Sequence, residues 1–160
     1  MTSLANMVRR SPADLLLAAE AFALLVFFRV CLALVPVRRI IRVLTRGHIS
    51  ANSEDPGAAI RDLTEAASDA VPERSLRIAR RVQWAVSAVA RHSPLQFVCF
   101  PQTLAGYTML RWRSVPRTMV YGVARSPEGE MIAHTWLTLS DKIVLGGEES
   151  PRFTPIERWS

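Results

Sequence analysis

The order of elements predicts an α+β fold: helices first, then one further helix packed on a small antiparallel β-meander. Two observations predict it. Up to about residue 92 the chain carries capped starts, apolar residues at three- and four-residue spacing, and proline stops. From Arg117 onward it changes to short apolar runs separated by turn residues. The chain has 160 residues, 49% hydrophobic and 21% charged, which allows one compact core and excludes a disordered chain.

Ser11-Pro12-Ala13-Asp14 reads as a helix start, with a serine cap, proline at the first helical position and an acid in the first turn. Leu15 to Val35 follows, 21 residues interrupted only by Glu20 and Arg29. That length would span a bilayer. Each charge at mid-span costs about 2.5–3.5 kcal/mol against about 0.3–0.6 returned per Leu or Phe, and both charges lie off-centre, so the arithmetic does not decide. Pro36 ends the helix, and residues 37–44 alternate apolar and arginine groups at helical spacing. After a polar loop, residues 55–70 predict a helix on Ile60, Leu63 and Ala67. Residues 73–91 predict a stronger one on Leu76, Ala79, Val82, Val86 and Val89, with Arg74, Arg77, Arg81 and Ser87 on its solvated face. A helix from Pro101 to about Arg113 ends before Pro116. Strands are expected at 117–124, 131–139 and 142–145, joined by a Ser126-Pro-Glu-Gly turn and a tight Ser140-Asp141 turn. The organisation is therefore an apolar, arginine-rich helical segment over 1–46, a helical part over 47–92 that packs on the core, and the core itself over 93–160.

Nineteen of the 20 basic residues are arginine. Residues 1–46 hold seven of them against Asp14 and Glu20, while the remainder is nearly neutral. Clustering beside an apolar stretch points to a membrane surface or an acidic partner for residues 15–46 rather than to nucleic acid, for which no motif is present. Cys31 and Cys99 sit in different surroundings and read as independent thiols of a reducing, cytoplasmic compartment. Cys31, on the apolar helix, reads as a small buried hydrophobe. His48 and His92 have no ligand partners at metal spacing, so no metal is expected, and no phosphate-binding glycine loop or other cofactor motif is present.

Chemistry concentrates around Cys99. A thiol at a helix start faces unpaired backbone N–H groups and the positive end of the dipole, which favour the thiolate. The same amides can hold an oxyanion. His134 follows 35 residues later in an expected strand. Cysteine on a helix start and then histidine on a strand is the chain order of papain-like nucleophilic hydrolases.

The stretch Cys99-Phe-Pro-Gln-Thr-Leu-Ala-Gly-Tyr-Thr-Met-Leu-Arg-Trp-Arg-Ser-Val-Pro, then Val120-Tyr-Gly-Val-Ala-Arg, then Ala133-His-Thr-Trp-Leu, resembles transglutaminase-like cysteine proteases of lasso peptide biosynthesis. Val144-Leu-Gly-Gly-Glu and Phe153-Thr-Pro-Ile fit the same family, so the likeness covers roughly residues 76–160. The resemblance implies a leader peptidase with Cys99 as nucleophile and His134 as general base. It frees the N-terminal amine of a ribosomally made core peptide, which an ATP-dependent macrolactam synthetase then joins to an acidic side chain. It also implies the split type, which relies on a small leader-recognition protein to present the precursor peptide's leader.

The family's aspartate about twelve residues after the histidine is missing, since position 146 is glycine. Asp141 is rejected on geometry: in a hairpin turn it would lie roughly 20 Å from His134. The expected register brings Gly146 and Gly147 opposite His134. That leaves Glu148 as the nearest acid, with a backbone carbonyl as the other way to orient the ring. Gln96 is the candidate oxyanion donor. Trp112 and Trp136 read as core, and Tyr121 as ordinary packing. Two other readings stay open: a non-catalytic scaffold of the maturation complex, and a transglutaminase-like acyl transferase using the same residues.

Overall fold

The computed structural model describes residues 11–36, 39, 40, 43, 71–95, 97–140 and 142–160. The helix expected over 55–70, most of the amphipathic stretch 37–44, and the candidate Gln96 lie outside them.

The first helix, α1, runs Pro12–Leu34. The Ser11 hydroxyl accepts from the Asp14 N–H at 3.3 Å, and Val35 leaves the helix in an extended conformation ahead of Pro36. Leu17, Ala18, Ala21, Leu25 and Phe28 form its buried face. They pack on α2 (Glu73–His92) and α3 (Cys99–Trp112). Both acids of α1 meet arginines of those helices. Asp14 pairs with Arg81 at 2.8 Å, and Glu20 takes Arg113 in a two-pronged grip at 2.6 and 2.8 Å. The hydrogen bond to Glu20 raises the Arg113 guanidinium above its ordinary pKa, against an opposing effect of burial. Glu20, an interruption when read as sequence, is thus a tertiary contact. Glu20→Ala is expected to cost about 1–3 kcal/mol in a urea titration, below the roughly 3–5 of a fully buried pair because both side chains keep some water.

In α2 the buried residues Ala79, Val82, Ala85, Val86 and Val89 recur at helical spacing. The next helix, α3, is buried almost all round, from Thr103 to Leu110, because α1 and α2 cover one side and the sheet the other. Gly106 has no side chain where Leu137 and Leu145 press in, which lets the sheet approach the helix closely. One core cluster joins α1, α2, α3 and the helix-facing side of the sheet.

The sheet has four antiparallel strands in the order β3-β2-β1-β4. These are β1 (Thr118–Arg125), β2 (Met131–Leu139), β3 (Lys142–Leu145) and β4 (Thr154–Trp159). The fold is α+β, as expected, but the meander of three strands gains a fourth. After a 3-10 turn at Ser150–Arg152 the chain returns to pair β4 with the outer edge of β1. The strand is exposed along nearly all its length, so its sequence lacks the in-out alternation that marks a strand. Pro155 also argues against pairing, yet an edge strand with an irregular register is where a strand tolerates proline.

Thr135, Leu137 and Leu139 of β2 turn towards α3. His134 and Trp136 turn to the other face, where Trp136 packs with Val120 and Phe153 in a second small cluster. Gly122 lies opposite His134 in the register, and a β-carbon there would meet the Trp136 ring at 2.7 Å and the Thr154 carbonyl at 2.9 Å.

Candidate active site

Cys99 is the first residue of α3, with Val98 as an extended cap that has no side-chain hydrogen bond. Its thiol is free and partly buried. One turn on, the buried Thr103 hydroxyl lies 2.9 Å from the Cys99 carbonyl and 3.2 Å from the Thr135 carbonyl, and accepts from the Thr135 hydroxyl at 3.2 Å. This ties the helix start to the residue beside His134. Gln102 donates to the Phe97 carbonyl at 2.7 Å and holds the approach to the helix.

His134 is 7% exposed. Its ring lies nearly parallel to Trp136, with centroids 6.1 Å apart, and 5.1 Å from the Phe153 ring. Its Nε2 lies 2.9 Å from the Gly146 carbonyl oxygen. The register explains how that carbonyl arrives. An irregularity at Leu137/Thr138 shifts the expected pairing so that Leu145 lies opposite Leu137, and Gly146 turns with φ +73°. Glu148, the acid singled out in the sequence, lines the cavity, but among the described residues the ring's hydrogen bond is to Gly146 and not to Glu148. Asp141 falls outside the described residues. On either side of it Leu139 pairs with Lys142, and Ser140 has φ +51°.

A cavity of about 810 Å³ takes in both Cys99 and His134. No hydrogen bond joins the two side chains among the described residues. Cys99 enters the cavity from the start of α3, and His134 from the face of β2 turned away from that helix. The other walls come from places the sequence did not single out. Gln83, Ser87 and Arg91 lie at helical spacing on α2, and Gly146 to Glu149 close the opposite side. Read as sequence, Ser87 belongs to a solvated helix face with no part in a site. The signal that could have found it is the polar triplet at positions 83, 87 and 91, one helical face leading directly into the segment before Cys99. Trp136 is core, as read, but Trp112 is 62% exposed at the end of α3 and is not. Tyr121 packs 6.5 Å from the Trp159 ring, on the β4 side. Cys31 is only partly buried.

A thiol at a helix N-terminus and a histidine on the adjoining sheet, opening on one cleft, are the parts of a cysteine-dependent acyl-transfer or hydrolytic fold. The family model described as the transglutaminase-like superfamily matches residues 22–158, and the chain belongs to that superfamily. Its members are commonly cysteine-dependent enzymes. The match begins within α1, in keeping with the packing of that helix into the core. Comparison with curated proteins and with solved structures finds no match.

Proposed function

We propose that the chain is a cysteine peptidase that removes the leader peptide from a lasso peptide precursor before a partner synthetase closes the macrolactam. The observation that carries the reading is that Cys99, at the start of α3, and His134, on β2, line one cavity, with Thr103 bonding the backbone beside each. The sequence resemblance to leader peptidases of this pathway supplies the substrate class. In the proposed reaction the Cys99 Sγ proton passes to His134. The thiolate attacks the scissile carbonyl, and the imidazolium returns the proton to the departing amine, leaving a thioester that water cleaves. The helix-start amides of α3 are the natural donors to the oxyanion. The precursor's leader is presented by a small recognition protein, and the freed core passes to an ATP-dependent synthetase, all in the cytoplasm.

The test combines purified chain, recognition protein and precursor peptide, with products read by mass spectrometry. The expected result is a leader with a free C-terminal carboxylate and a core with a free amine. An amine adduct on the leader would instead identify an acyl transferase. An intact precursor with all three components present would contradict both readings.

A further inference from the structure

We propose that the main-chain carbonyl of Gly146 is the positioning group of the site, fixing the tautomer and rotation of His134 where a carboxylate would otherwise be sought. The inference rests on the reading of His134 as general base. A carbonyl oxygen can only accept, so the Nε2 atom 2.9 Å away must carry the proton. In the neutral ring that leaves the lone pair on Nδ1, the one nitrogen able to take a proton from a thiol. Trp136 and Phe153 lie against the ring, with centroids 6.1 and 5.1 Å from its own, and limit its tilt. The hydrogen bond adds what stacking cannot, a choice between the two nitrogens.

Glycine is what lets the backbone come this close. Its φ of +73° lies in the left-handed region that side chains disfavour. A β-carbon at position 146 would stand 2.7 Å from the Thr135 carbonyl oxygen, 3.1 Å from the Trp136 β-carbon and 3.2 Å from His134 Nε2. The first of these is backbone and does not yield cheaply. An aspartate at this position is therefore excluded on this backbone, because its β-carbon would occupy the space that brings the carbonyl to the ring. The carbonyl replaces the orientation a carboxylate would provide but not its negative charge.

The direct test is the nitrogen spectrum of the His134 imidazole in the substrate-free protein, read through long-range proton–nitrogen couplings. The wild-type ring is expected to show a protonated Nε2 and a bare Nδ1. Glu148→Gln is expected to leave both nitrogen shifts in place. Gly146→Ala is expected to lose the fixed tautomer and to lower kcat on the order of 10²-fold, with KM changing far less, because only the base is misplaced. Gly146→Asp is expected to slow the reaction as well. A wild-type ring protonated at Nδ1, or averaging between tautomers, would overturn the proposal, as would nitrogen shifts that move in Glu148→Gln or a faster Gly146→Asp variant. The wild-type spectrum decides even if a Gly146 variant does not fold. Because it needs no substrate, a fixed Nε2–H tautomer in a protein that cuts no precursor would sink the peptidase reading and leave only the carbonyl's hold on the ring standing.

Discussion

Replacing Cys99 with alanine is expected to abolish leader release, on the order of 10⁴-fold or more, while the protein stays folded. The thiol is free and partly buried, so its loss removes few contacts. What it removes is the thiol that lines the cavity and is proposed to form the thioester. His134→Ala is expected to be nearly as damaging, and the double variant little worse than either, because nucleophile and base act as one unit. Circular dichroism and a urea midpoint close to wild type would separate lost chemistry from lost fold. A Cys99→Ala protein that still releases leader at the wild-type rate would remove Cys99 from the mechanism.

The second large effect is expected far from the cleft. Leu25 is fully buried where α1 meets the core, so Leu25→Ala should destabilise by about 2–5 kcal/mol. For a chain of this size that corresponds to a fall in Tm of roughly 5–20 °C. Leu16, on the same helix, is 73% exposed, and Leu16→Ala should change stability by no more than about 0.5 kcal/mol. Calorimetry on the two variants asks whether α1 is docked as the structure has it. Similar small losses for both would mean that α1 spends its time elsewhere. The Glu20–Arg113 contact points the same way, since a helix drawn out of this packing would leave both charges unpaired.

Much of this architecture was legible because local signals and tertiary packing agree. Ser11-Pro12-Ala13-Asp14 encodes its own cap, and Pro36 its own stop, so α1 begins and ends where the sequence says. The β2–β3 hairpin follows from two apolar runs around a two-residue turn, and its strands have the expected bounds. Edge strand β4 was illegible for the converse reason. It buries almost nothing, so no periodicity records it. The site divides in the same manner. Cys99 and His134 are chemically distinctive residues in a suggestive order, and sequence alone singles them out. Among the described residues the hydrogen-bond partner of His134 is a backbone carbonyl and not a side chain. A carbonyl carries no sequence signature, and the turn that delivers it depends on an irregularity between β2 and β3. The expected hairpin already brings Gly146 near the ring and leaves a backbone carbonyl as one way to orient it; what the sequence does not record is whether the ring meets that carbonyl or Glu148, two residues on. The α2 wall leaves no mark in the sequence, because Gln83, Ser87 and Arg91 look like any solvated helix face until a cleft opens beside them.

The central claim is that Cys99 carries the acyl group between the precursor's leader and water, and intact-mass spectrometry of the protein during turnover tests it most directly. Quenched in acid while cutting precursor in ¹⁸O-labelled water, the chain should carry a leader peptide as a hydroxylamine-sensitive thioester that maps to Cys99. The released leader should gain one heavy oxygen at its new carboxylate. Leader release with no adduct on the chain, and undiminished in Cys99→Ala, would contradict the account.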